Sequence, residues 1–250
     1  MTAQSADRPL TQILRGVSIE VMPGQTTVLV GQSGCGKSTV LSTALDVLPV
    51  GLIRNSGDVV LDDVRLEPNS EAMGKARGRQ IALIFQEPGA ALNPSLSIGR
   101  HFQDTIRGAT VDWRSRALEL LAEVGIDEGE QRLKQHAHQL SGGERQRVVI
   151  ALAIANNPTY LLADEPTSAL DPVTSIRVLD LLQKLRDSRG LGLLLVTHDW
   201  RVVMRHADQV LVMFDGSIVE SGAADEVFRN PTHAETNRLL AAAQMGGVDA

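Results

Sequence analysis

The sequence predicts an α/β protein, a largely parallel sheet covered by helices and interrupted by a helical insert. Three observations carry that expectation. Continuous apolar runs recur: "TTVLV" at 26–30, "IALIF" at 81–85, "TYLLA" at 159–163, "GLLLVTH" at 192–198 and "QVLVMF" at 209–214. Short runs without alternation fit strands buried on both faces, as parallel sheets require. Helical patterns separate most of them, and residues 86–158 hold helices but no strong strand signal.

The elements follow in order. "TTVLV" runs into the glycine-rich stretch "GQSGCGKST" at 31–39, and a helical pattern covers about 38–47. In the insert, 113–124 and 142–156 are helical; beyond it, helices at 173–189 and 199–206 alternate with the last strands. No internal repeat or low-complexity segment is present. The expected organisation is one domain, 1–250: a core at about 10–86 and 158–222, a helical subdomain at about 87–157, and a C-terminal tail at 223–250.

Composition narrows the function classes. A chain of 250 residues buries a substantial core, and its net charge of −6 argues against nucleic acid as a main partner. The basic cluster "KARGR" (Lys75, Arg77, Arg79) reads as a solvated helix face. Cys35 is the sole cysteine, which excludes an intrachain disulfide or a multi-cysteine metal site such as an iron–sulfur centre. The N-terminal residues lack a secretory pattern, and no apolar run approaches the roughly 18 residues of a membrane span. The expectation is a soluble protein of a reducing compartment.

Chemistry begins at residues 31–39. Gly31, four residues, then Gly36, Lys37 and Ser38 match the phosphate-loop pattern. Glycines let successive N–H groups converge on anionic oxygens, and the following helix turns its positive N-terminus the same way. Lys37 would neutralise the β- and γ-phosphates of a nucleoside triphosphate, and Ser38 would ligate Mg²⁺. "TYLLADEP" at 159–166 ends a strand in two carboxylates: Asp164 suits the metal shell, and Glu165 can polarise water for in-line attack. Hydrolysis is thereby favoured over transfer to a bound small molecule. "QLSGGERQR" at 139–147 fits a capping box from Ser141 to Glu144, and its paired glycines leave the helix N-terminus open to a second anion.

Together, "LSGGERQR" just before "LLADEPTSALD", downstream of the phosphate loop, resembles an ATP-binding cassette (ABC) ATPase over roughly residues 13–240. The resemblance implies a phosphate-loop fold with an inserted helical subdomain, and ATP and Mg²⁺ as ligands. Gly31, Gln32, Ser33, Gly34, Cys35, Gly36, Lys37, Ser38 and Thr39 would be the phosphate loop. Ser141, Gly142 and Gly143 would be the signature that closes over a nucleotide held by an opposing cassette. Gln86 in "IFQEP" corresponds to the lid glutamine that senses the γ-phosphate and reaches the metal beside Ser38 and Asp164. Glu165 would be the general base, His198 in "VTHD" the switch histidine, and Asp171 in "SALD" part of the loop crossing the dimer interface. Cys35 would be a small filler whose alkylation blocks ATP.

Two departures matter. The family usually stacks an aromatic residue on adenine, yet residues 1–30 contain no Phe, Tyr, Trp or His. Stacking is then absent, supplied by a partner, or replaced by an aliphatic side chain such as Leu10 or Ile13. Secondly, "FQEPGAALNPSLSIG" at 85–99 is similar to peptide and nickel uptake cassettes, as is "RNPTHAETNRLLAAA" at 229–243, although Ala234 and Glu235 stand where that branch carries proline and tyrosine. The implied function is the ATPase of an importer for peptides, nickel or a metal-chelate-like solute, peripheral on the cytoplasmic face of the cell membrane. Its implied partners are a second cassette (more often a different one in this branch, otherwise itself), two membrane-spanning permease subunits and a solute-binding protein. One alternative is a soluble cassette of a non-transport enzyme complex such as phosphonate breakdown. Another, a DNA-repair or chromosome-organising ATPase, would carry coiled-coil or zinc insertions that are missing.

Overall fold

The computed structural model describes residues 2–5, 12–106 and 112–245. By contact the chain divides into two compact units, Met1–Arg77 with Gly192–Ala250, and Gly78–Leu191. The first begins with β1 (Thr2–Ser5), β2 (Gln12–Arg15), β3 (Thr26–Gly31), α1 (Lys37–Ala44), β4 (Leu52–Ser56), β5 (Val59–Leu61), β6 (Val64–Leu66) and α2 (Glu71–Ala76). The second comprises β7 (Ile81–Ile84), α3 (Pro88–Ala91), α4 (Ile98–Thr105), α5 (Trp113–Glu123), α6 (Gly129–Lys134), α7 (Gly142–Ala153), β8 (Tyr160–Asp164) and α8 (Pro172–Arg189). The chain then returns to the first through β9 (Gly192–Thr197), α9 (Trp200–His206), β10 (Gln209–Phe214), β11 (Ser217–Ala223), α10 (Ala224–Arg229) and α11 (Ala234–Met245).

In the first unit β3 lies between β9 and β10, parallel to both, and β11 pairs antiparallel with β10. Every residue of β3 and β9 is buried, which is why both read as unbroken apolar runs. Val30 pairs with Thr197 and Gly31 with Met213, so the loops after β3 and β9 leave at one level from the carboxyl edge of the strands. Loops at that edge are where open α/β sheets place ligands. β1 pairs antiparallel with both β2 and β4. β5 and β6 form a hairpin whose turn residues Asp62 and Asp63 take positive φ (49 and 63). The "KARGR" cluster is not one helix face: Lys75 is exposed on α2 and pairs with Glu71 at 2.6 Å, whereas Arg77 follows the helix end and is half-buried.

In the second unit β7 and β8 are parallel, with Ile84 opposite Ala163. Among the described residues no strand lies between them, only an isolated bridge from Ser97 to His136. Phe102, Leu120, Leu121 and Ile150 from α4, α5 and α7 are fully buried in the helical core. α8 obeys every local rule: Asp171 caps its N-terminus on Thr174 N–H, Pro172 opens it, and Gly190 closes it at φ 65. Arg189 then donates two hydrogen bonds to Glu123, at 2.8 and 2.5 Å, tying the end of α8 to α5. No helix among the described residues is long and apolar enough to cross a membrane.

One carboxylate anchors the C-terminal segment of the first unit. Glu220 on β11 accepts from Thr232 N–H at 2.7 Å, Thr232 Oγ1 at 2.8 Å, His233 N–H at 3.0 Å and the Thr236 hydroxyl. Burial alone would raise this carboxyl, but the donors outweigh it and hold it at about 2, against an ordinary 4.5. A depressed carboxyl stabilises the fold above its unfolded value, and the contribution disappears as pH falls from 4.5 toward 2. Glu220→Gln should therefore cost about 1 kcal/mol at neutral pH, a charge-assisted bond discounted for solvent screening. Urea unfolding of both proteins from pH 7 downward should show the difference shrinking through that window. A difference independent of pH would mean that charge plays no part in the anchor.

Candidate active site

The glycines of residues 31–36 serve three different needs. A β-carbon at Gly31 would lie 2.3 Å from the Met213 carbonyl oxygen, so only glycine lets the end of β3 pass this close to β10. Gly34 turns the chain at φ 80 in open space. Gly36 combines φ 109 with tight packing, since a β-carbon there would meet Leu14 and Met213 side chains at 3.1 Å each. Gly36 is also the N-cap of α1 and has no side chain to satisfy the first N–H groups, which leaves them available to an anion.

Lys37 opens α1 and is 6% exposed. Its Nζ donates to the carbonyl oxygens of Gly31 and Gln32, both at 2.8 Å, so the ammonium sits folded against the loop. Ser33 and Ser38 are exposed, and Thr39 is half-buried. Cys35 is half-buried with its Sγ turned toward Gly31. Burial pushes its thiol up, against the opposing pull of the Lys37 charge, which suits a filler rather than a nucleophile.

His198 follows β9 and is exposed. The register of β9 with β3 brings it to the edge from which the phosphate loop leaves. Of the aliphatic candidates for the missing aromatic, Leu10 lies outside the described residues. Ile13 is half-buried on β2, next to Leu14, which underlies Gly36.

In the second unit, Gln86 lies two residues beyond β7 and Glu165 one residue beyond β8. Gln86 Nε2 donates to Glu165 Oε2 at 3.5 Å. Glu165 holds φ 41, a left-handed conformation unusual for a residue with a β-carbon. Ser168 stabilises that turn, donating to the Glu165 carbonyl from its N–H at 3.2 Å and from its hydroxyl at 3.1 Å. Asp164 and Glu165 are both half-buried, Asp164 as the last residue of β8.

The signature forms the expected capping box. Glu144 N–H donates to Ser141 Oγ at 3.2 Å, and Ser141 N–H to Glu144 Oε2 at 2.9 Å. These bonds, together with Arg132 at 2.9 Å, hold the Glu144 carboxyl below its usual range. The two glycines differ. A β-carbon at Gly143 would come within 2.6 Å of Thr174 Cγ2 on α8, whereas one at Gly142 meets nothing nearer than Leu170 at 3.5 Å. Packing therefore accounts for Gly143 and leaves Gly142 open to an outside group. Asp171 is committed as the α8 cap, its carboxyl lowered by Thr174.

One contact has no local sequence sign. Gln32 Nε2 donates to Glu235 Oε1 at 2.7 Å, across 203 residues. Spacing rules reach only a few positions, so nothing near either residue announces the pair.

The residue types that the sequence assigns to a metal, the Ser38 hydroxyl in the first unit and the Gln86 amide oxygen and Asp164 carboxylate in the second, all offer oxygen. An all-oxygen set fits Mg²⁺, which keeps waters and shares phosphate oxygens rather than filling a protein cage. No group of three His, Cys, Asp or Glu among the described residues could hold a metal ion alone.

The profile of the ABC transporter family matches residues 14–168. The peptidoglycan transport ATP-binding protein YejF of Agrobacterium fabrum is 45% identical over 239 residues, 92% of this chain, which spans only 43% of that protein's length. The nickel import ATP-binding protein NikD of Rhodospirillum rubrum is 45% identical over 92% of this chain and 87% of its own. A solved dimeric ATP-binding cassette in a post-hydrolysis state, bound to ADP and Pi, superposes with a TM-score of 0.76 at 30% identity, covering 89% of this chain and 96% of the other. The chain belongs to the ABC transporter family, as one of its ATPase cassettes.

Proposed function

We propose that this cassette hydrolyses ATP to power an importer for peptides, nickel or a related metal-chelate solute. The observation that carries the hydrolytic reading is the Gln86–Glu165 contact at 3.5 Å beside Asp164. A carboxylate and an amide in reach of one another can hold a water between base and γ-phosphate sensor. In this reading the N–H groups at the start of α1 and the Lys37 ammonium bind the phosphates, Lys37 exchanging its two carbonyl contacts for β- and γ-oxygens. Ser38, Gln86 and Asp164 would hold Mg²⁺, which neutralises charge on the β- and γ-oxygens when bound. Glu165 accepts the proton of water as its oxygen bonds to the γ-phosphorus, the bridging P–O bond breaks, and ADP and Pi leave. His198 steadies the γ-phosphate. Ser141 and Gly142 act on the nucleotide of a second cassette.

Import is supported by what the two relatives are named for, peptidoglycan transport and nickel import. The likeness of "GAALNPSLSIG" at 89–99 to peptide and nickel uptake cassettes points the same way. The partners of this reading are a second cassette, two permease subunits and a solute-binding protein, with the chain peripheral on the cytoplasmic membrane face. The docking surface of this reading is the stretch 90–98: in it Leu92 and Ile98 are buried anchors, while Asn93, Pro94 and Ser95 project as an exposed turn in which Asn93 Oδ1 accepts from Ser95 N–H at 3.0 Å. Loops held on a rigid scaffold are suited to contact rather than to filling a core.

Glu165→Gln keeps the shape but cannot take a proton, so steady-state hydrolysis should fall by about 10²-fold or more while ATP binding persists. Near wild-type phosphate release by the assembled complex would remove Glu165 from the role of base.

The two signature glycines should separate. Gly142→Ala should leave the thermal midpoint of the isolated chain unchanged, yet depress turnover at the partner cassette's phosphate loop once the pair is assembled. Gly143→Ala should lower the midpoint, because Thr174 must move. Strong, concentration-independent ATPase activity of a verified monomer would contradict the composite site.

A charge at Ser95 should weaken assembly with the permease subunits and leave MgATP affinity intact. Pull-down of multi-span proteins and calorimetry read the two effects. Undisturbed assembly would move the docking surface elsewhere.

A further inference from the structure

The C-terminal segment reaches the phosphate loop through a hydrogen bond at Gln32. Gln32 is the first residue beyond β3, and it is held from two sides. Its backbone carbonyl accepts from Lys37 Nζ at 2.8 Å, and its side-chain amide donates to Glu235 Oε1 at 2.7 Å. Glu235 lies in the first turn of α11 and is 7% exposed. Arg238 clamps it through Nε on Oε2 and Nη2 on Oε1, both at 2.9 Å, and Glu235 N–H donates to His233 Nδ1 at 3.1 Å. The same turn is anchored to β11 by the bonds of Glu220 to Thr232, His233 and Thr236. A buried carboxylate with fixed donors on both oxygens does not swing. Its bond to Gln32 therefore defines where that side chain, and the peptide carrying it, can rest.

We propose that Glu235 is a positioning residue for the phosphate loop: it fixes Gln32 and, through the Gln32 carbonyl, the resting place of the Lys37 ammonium. The inference rests on the reading of residues 31–39 as the nucleotide site. It makes the start of α11 part of the nucleotide-binding apparatus, without any contact between Glu235 and the phosphates. A change in the C-terminal helix would then be felt as a change in ATP affinity.

The test uses the full chain, MgATP calorimetry, and alkylation of Cys35 by iodoacetamide; as the only cysteine it reports on the loop alone. Glu235→Ala and Gln32→Ala should each weaken MgATP binding about tenfold, and the double variant no further, because both remove one bond. Glu235→Gln retains an acceptor at the same reach and should stay within about twofold of wild type. Without nucleotide, Glu235→Ala should alkylate faster at Cys35 with a thermal midpoint close to wild type. Additive losses in the double variant would overturn the proposal, as would alkylation rates and affinities equal in all five proteins. Failure of MgATP to slow alkylation of the wild type would instead overturn the nucleotide-site reading, and the positioning role with it. Protection in the wild type combined with indifference to Glu235 sinks the positioning role alone.

Discussion

The exit of the chain from β3 rests on a backbone-to-backbone approach that no side chain permits. At Gly31 the strand runs so close to the Met213 carbonyl that an added β-carbon would stand at 2.3 Å. A methyl group there would have to push β10 aside, and β10 carries β11 and, through Glu220, the anchor of α11. The position of the Gln32 carbonyl, the fold of Lys37 back onto it and the packing of Cys35 all follow from that exit. A motif glycine is commonly credited to room for phosphate. At Gly31 the nearer cause is the sheet itself, and the room for phosphate is a consequence.

The second unit meets its own constraint at the end of β8. Glu165 in the left-handed region costs on the order of 1–3 kcal/mol for a residue with a β-carbon. The two bonds from Ser168 to its carbonyl offset part of that cost. An extended continuation of β8 would alternate side chains to opposite faces and send Asp164 and Glu165 apart. The reversed backbone breaks that alternation, and the Glu165 carboxylate is the one that meets Gln86. The strain thus redirects the carboxylate that the proposed mechanism uses as its base.

Much of the fold was legible because its central strands are buried on both faces and its long helices carry complete terminal signals. β3 and β9 are buried at every position, and α7 and α8 announce themselves through Ser141 with Glu144 and through Asp171 with Pro172. β5, β6 and β11, which carry no strong apolar run, are largely half-exposed or exposed and held by pairing rather than by apolar content. β11 reads "SIVESGA"; its one local sign is the turn Asp215-Gly216, both at positive φ (45 and 77), which is a strong hairpin signal. β5 and β6 hide behind Asp62 and Asp63, a turn pair without glycine. In the site, residue types and order were legible, since phosphate loops and capping boxes are local patterns. The separate reasons for Gly142 and Gly143 were not, because they depend on whether Thr174 or open space lies opposite. Nor was the bond between Gln32 and Glu235, which closes over 203 residues.

Glu235 also poses an electrostatic problem that its ion pair eases. The chain carries a net charge of −6 and binds a polyanion, so a carboxylate one side chain away from the phosphate loop should oppose binding. Two unit charges 4 Å apart interact by about 1 kcal/mol in water and about 4 kcal/mol at an effective dielectric of 20, so a bare carboxylate here would matter. Arg238 covers it with one bond to each oxygen at 2.9 Å and offsets part of its charge, although the carboxylate is still felt in the loop, where, alongside burial, it helps to raise the Cys35 thiol. In the proposed site the phosphates meet the oriented N–H groups at the start of α1 and the single charge of Lys37. The carboxylate's short reach as a hydrogen-bond acceptor is kept, while its long reach as a charge is weakened. An unpaired carboxylate would hold Gln32 as well but repel the ligand more strongly. The ion pair with Arg238 lets one side chain hold the loop while lessening its opposition to the nucleotide.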